Sequence, residues 1–203
     1  MAIQTMAGHL AFPSIVAFVR DSGTTSMLLD AASEKAAFIF RAPKTGTITK
    51  VGFRTQTVTT GATVDVRLET VNASGNPSGT LKGTNTNASQ VIGSGDDTTW
   101  FEVTLTAGAS VTNGDLLALV IVNPTVSPGN LNILSAPSNM AFSTQSFPYA
   151  DLFTTAWAKS VEGMACYVVY SDGAILWTGS VGGNVTKTAF NSASTPDEVG
   201  NIF

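Results

Sequence analysis

The stretch "TVDVRLETV", residues 63 to 71, alternates without a break. Val64, Val66 and Leu68 fall on one side, and Asp65, Arg67 and Glu69 on the other. A period of two is that of a β-strand with one face on a core and one in water. The three charged residues are therefore expected on a solvated sheet face. "GTITKVGFRTQTV" behaves alike and is rich in β-branched residues, with Val51 and Phe53 on one side and Lys50 and Arg54 on the other. "KAAFIFRAP" predicts a short apolar strand closed by Pro43, and "WFEVTLT" a strand with Phe101, Val103 and Leu105 inward. "VTNGDLLALVIV" carries an Asn113-Gly114 turn signal before a strand that is apolar on both faces. Such a strand lies in the middle of a sheet, or has its second face under an arm or a partner.

Elsewhere the pattern loosens. Residues 1 to 30 mix Gly8, Pro13 and Gly23 with short apolar pieces and predict an extended arm with one or two short strands, packed on its own domain or reaching a neighbour. Residues 72 to 99 are dominated by Gly, Asn, Ser and Thr, which predicts loop with at most one short edge strand. Pro124, Pro128, Pro137 and Pro148 punctuate a long irregular stretch, the kind that is usually functional or an interface. "GMACYVVYSDG" and "AILWTG" predict closing strands. No segment has a helical period. Short β units joined by turns predict an all-β fold: an antiparallel β-sandwich, or jelly roll, with an extended N-terminal arm. The expected division is an arm at 1–30, the sandwich at 31–185, and a tail at 186–203.

Composition narrows the function classes. Charged residues make up 12% of the 203-residue chain, against a usual share of about 25%. So few charges suit a surface partly covered by neighbouring subunits, or a Thr-rich β surface. The net charge is −4, and Lys and Arg are scattered, so no nucleic-acid footprint exists. The longest apolar run, "LLALVIV", is too short to span a bilayer as a helix, and no membrane partner is expected. Arg20 follows the stretch "AFPSIVAFV" instead of preceding it, so no secretory leader is expected.

Candidate chemistry is sparse. Cys166 and His9 are the single residues of their kinds and lie far apart in sequence. A nucleophile with an adjacent base, or a His-based zinc site, is therefore not expected. No cofactor is expected, and the chain does not read as an enzyme. Asp96 and Asp97, adjacent in a Gly-rich loop, are candidate calcium ligands, because hard oxygen donors suit that ion; turn chemistry accounts for them too. Sugar-binding sandwiches present aromatic rings beside polar groups. The available rings are Trp100, Tyr149, Trp157, Tyr170 and Trp177, of which Tyr149 and Trp157, in the irregular stretch, are the candidate ligand contacts. Trp100 opens a strand and is expected in the core or at its rim.

The order of motifs carries a resemblance. An apolar strand ending in Pro leads to "GTITKVGF", then "VDVRLETV", a Gly-Asn-Pro-Ser-Gly loop, a Trp-led strand and "VTNGDLLALV". Over about residues 30 to 123 this resembles the jelly-roll modules of tailed-bacteriophage virion proteins, and more loosely the β-sandwich modules of bacterial surface proteins. The resemblance implies a surface-exposed structural subunit of a fibre, spike or capsid decoration, assembled in the host cytoplasm and located in the virion. Its partners would be copies of itself, other virion proteins and a host-surface glycan. The alternative is a carbohydrate-binding or adhesin module. The motifs transfer no catalytic residue. Such modules occur in tandem, and "PDEVGNIF" echoes "SEKAAFIF". The tail is thus either the last strand of the sandwich or the start of a second module.

Overall fold

A computed structural model describes residues 9–11, 26–123, 130–134, 149–160 and 164–177. Among them lie fourteen strands and no helix. In chain order they are β1 (His9–Ala11), β2 (Ser26–Leu29), β3 (Lys35–Arg41), β4 (Gly46–Thr60), β5 (Ala62–Val71), β6 (Pro77–Leu81) and β7 (Asn87–Ile92). There follow β8 (Trp100–Val111), β9 (Leu116–Val122), β10 (Asn130–Leu134), β11 (Tyr149–Phe153), β12 (Trp157–Ser160), β13 (Cys166–Tyr170) and β14 (Ile175–Trp177).

The pairings nest. β5 pairs with β7, β4 with β8, β3 with β9 and β2 with β10, all antiparallel. From β2 to β10 the chain is thus one long hairpin, folded back between β5 and β7. It is rolled so that its rungs fall alternately in two sheets, ordered β2-β10-β4-β8 and β3-β9-β5-β7. That is the jelly-roll order, two interlocked Greek keys. The remaining strands extend the edges. β11 and β12 add beside β3, and β6 adds beside the end of β5. β13, β14 and β1 continue outward from β4 next to β10, with β1 parallel to β14.

Alternation fills the space between the sheets. Phe38 and Phe40, Val51 and Phe53, Val64, Val66 and Leu68, and Leu117, Leu119 and Ile121 share one buried core. Phe101 is only half-buried but stacks on Phe53 at 5.5 Å between ring centroids. The doubly apolar strand β9 lies between β3 and β5, as a mid-sheet position requires. Its other face joins a second buried cluster of Ala37, Ile39, Ala118, Val120 and Val122. The Asn113-Gly114 turn forms with Gly114 at φ +90°, but it carries the chain from one sheet to the other and closes no hairpin. It is held to the β3–β4 connection by Gly114 N–H donating to the Ala42 carbonyl (2.8 Å).

Two sequence expectations change. Glu69 does not face water: it is 1% exposed and its Oε2 accepts the Gly79 N–H at 2.8 Å. Residues 72 to 99 hold two strands, β6 and β7, both made by pairing to β5. Pro77 is tolerated as the first residue of an outer strand, where its missing N–H costs no ladder bond. Within the segment expected as an arm, the described residues form two short strands, β1 and β2, that pack on the sandwich itself. Met27 and Leu29 in β2 are buried core residues, and β1 extends a sheet. The rest of the arm, and the tail from 178 to 203 with its closing Ile202-Phe203, lie outside the described residues.

Candidate functional site

Trp157 opens β12 opposite Phe153, at the tip of the β11–β12 hairpin. The two rings meet edge to face with centroids 5.2 Å apart. Lys35 Nζ sits 4.8 Å from the Phe153 centroid and 5.9 Å from that of Trp157. Trp157 is half-buried and packs against the second apolar cluster, so its ring anchors the hairpin to the sheet. Tyr149 stands at the other end of β11, opposite Ile39. Four residues of strand separate its backbone from the Trp157 position, about 13 Å. The two candidate ligand rings therefore do not start from one spot.

Asp96 and Asp97 serve the backbone of their own loop. Asp96 Oδ2 accepts the Gly93 N–H at 2.7 Å, and Asp97 Oδ1 accepts the Val58 N–H of β4 at 2.6 Å. Gly95 N–H donates to the Val58 carbonyl and Thr98 N–H to the Gln56 carbonyl, so the loop is stitched along β4. Among the described residues no group of three or more His, Cys, Asp or Glu side chains could hold a metal ion. Cys166 is buried and lines a void of about 10 Å³ between the sheets, beside Phe38, Phe40 and Leu119. That is room for about one water molecule.

A different cluster lies on the outward face of the first sheet. Cross-strand register places Glu102, Gly52 and Tyr167 in one row over β8, β4 and β13, with Trp100 and Lys50 in the flanking rows. Gly52 has no side chain, and the Tyr167 ring occupies the space above it. A Cβ on Gly52 would lie 2.1 Å from Tyr167 Cε1 and Cζ. The Tyr167 hydroxyl thereby reaches the far strand and donates to Glu102 Oε2 at 3.1 Å. Lys50 Nζ donates to Glu102 Oε1 at 2.6 Å, so each carboxylate oxygen holds one donor. The Trp100 and Tyr167 rings lie side by side, centroids 5.6 Å apart and tilted by 44°.

Electrostatics follow from that packing. Burial pushes the Tyr167 phenol well above its usual range, and the Glu102 charge and hydrogen bond push it the same way. Lys50 and Glu102 keep 43% and 41% of their side chains exposed, so the pair is solvated and weakly stabilising. The cluster thus offers two half-buried rings, one carboxylate and one ammonium within a few ångströms on one face of the sheet.

Sequence reasoning passed over Tyr167 and placed Trp100 in the core or at its rim. The signal was present in "CYVVY": with Cys166, Val168 and Tyr170 inward, alternation turns Tyr167 outward. Which strands lie beside it is a matter of long-range register, which no local pattern encodes.

No family model, curated protein or solved structure matches the chain.

Proposed function

We propose that the chain is a structural, surface-exposed virion subunit of a tailed phage, part of a fibre, spike or capsid decoration. It acts without catalysis, by assembling with copies of itself and with other virion proteins. The observation that carries this reading is the rolled long hairpin: the segments whose motif order resembles phage jelly-roll modules, residues 35 to 122, supply strands to both sheets in jelly-roll order. The low charged fraction, 12%, supports a surface that is partly covered by neighbours. Fold alone does not fix function, so the particle decides it. Antibody against the chain should decorate purified particles of the phage that encodes it, in a regular pattern in electron micrographs. Label found only on soluble material would overturn the reading.

A second reading, a carbohydrate-binding or adhesin module, is favoured by one observation: the outward cluster of Trp100, Tyr167, Glu102 and Lys50.

A further inference from the structure

We propose that the outward face of the first sheet is a saccharide subsite for a neutral pyranose, with Trp100 as stacking ring and Glu102 and Lys50 as hydroxyl partners. The inference rests on the carbohydrate-binding reading and assigns it to residues other than Tyr149 and Trp157.

Three features of the cluster converge on that ligand class. The first is shape. Because Gly52 lets the Tyr167 ring lie low across β4, the ring does not project from the sheet. Together with Trp100, its centroid 5.6 Å away and its plane tilted by 44°, it makes a continuous, bent aromatic surface. A pyranose has one face made largely of C–H groups, and such a face packs well on an aromatic floor. The second is hydrogen bonding. Glu102 is acceptor-only when ionised and Lys50 is donor-only. Their 2.6 Å contact puts acceptor and donor side by side. A sugar hydroxyl both donates and accepts, so adjacent hydroxyls complement the pair. Charge-assisted bonds of this kind are the stronger ones.

The third feature is charge. Lys50 and Glu102 neutralise one another, Arg54, opposite Trp100 in the register, is buried with its Nε–H donating to the Thr98 carbonyl at 3.1 Å, and the acidic chain (net −4) adds no attraction for an anion. A phosphorylated or sulfated ligand would find one ammonium already paired. A neutral sugar meets no such penalty. The Tyr167 hydroxyl, donating to Glu102 Oε2, fixes the carboxylate from the side opposite to Lys50, so Tyr167 is a positioning residue as well as part of the floor. The partial exposure of Glu102 and Lys50 keeps both groups reachable from solvent.

The test uses the full chain and methyl pyranosides of glucose, galactose, mannose and N-acetylglucosamine as probes. The three Trp indole N–H signals are followed by NMR, each assigned with a single Trp→Phe variant. A saturable shift at Trp100 with at least one probe is expected. Glu102→Gln, which keeps shape but weakens the acceptor, should weaken that binding by about tenfold or more. Trp100→Ala should abolish it, and Trp157→Ala should leave it unchanged. If probes shift only Trp157, or if Trp157→Ala abolishes binding while Glu102→Gln does not weaken it, the subsite is wrong and the carbohydrate-binding reading survives. If no probe shifts any indole, both fall.

Discussion

Tyr167 lies across Gly52, with its ring where any side chain on Gly52 would have to be. The contact ties β13 to β4 and sends the phenol on to Glu102 of β8, so three strands are joined on one face. Gly52→Ala should therefore expel the ring. Overpacking of this kind costs about 1–3 kcal/mol. In a Tyr167→Ala background most of that cost should vanish, giving a coupling of about 1 kcal/mol or more in a double-mutant cycle. Denaturant titration of the four proteins measures it. Equal costs of Gly52→Ala in both backgrounds would contradict the geometry.

The same packing sets an alkaline limit. Burial raises the Tyr167 phenol well above its usual range, and burial with the Asp172 charge pushes Tyr170 up to about 12. A raised folded value means that folding disfavours the phenolate. The stability involved is fully present below the unfolded value near 10 and is lost as pH rises through the folded values. Titration by phenolate absorbance should leave at least two of the three tyrosines un-ionised until the protein unfolds. Tyr167→Phe should flatten the loss of stability on the alkaline side. Two tyrosines titrating near 10 in the native state would argue against this packing.

The acid side is governed by turns. The Lys82 hydrogen bond and the Thr112 N–H hold the Asp115 carboxyl below its ordinary 3.8. Lys44 and the Ala174 N–H do the same for Asp172. A lowered folded value contributes stability above the unfolded value that disappears as pH falls through the folded one. Melting temperature should thus drop below about pH 4, and more steeply than in Asp115→Asn. Both carboxylates are substantially exposed, so the difference is small. An identical acid limb in the variant would remove Asp115 from the explanation.

Asp97 should matter more for stability than for metal. Its Oδ1 is the acceptor for the buried Val58 N–H near the C-terminal end of β4. Asp97→Ala leaves that donor without its partner, at a cost of about 1–3 kcal/mol, and Asp97→Asn, which keeps an acceptor oxygen, should cost less. Excess calcium should leave the melting temperature of the native chain unchanged, because Asp96 and Asp97 already serve backbone amides. A calcium-dependent rise that Asp96→Asn abolishes would restore the pair as metal ligands.

Strands with strict alternation were legible from sequence because one face meets the core and the other does not; β4, β5 and β8 are the cases, while β9 was legible as an apolar run suited to a mid-sheet position. Strands made by a neighbour were not. β7 reads as a polar turn-rich segment, yet β5 supplies it with a full antiparallel register from Ala62 to Arg67. Glu69 shows the same limit from the other direction. Alternation turned it away from the core correctly, but not into water, since the outer face of its sheet is buried there too. For the site, Trp100 and Tyr167 are 67 residues apart in sequence, and only the rolled hairpin with its added β13 makes them neighbours.

Assembly is the central claim, and the mass of the full chain in solution tests it most directly. Sedimentation equilibrium over a wide concentration range should give a defined whole-number multiple of 21.0 kDa. A monodisperse 21.0 kDa monomer at every concentration would contradict it.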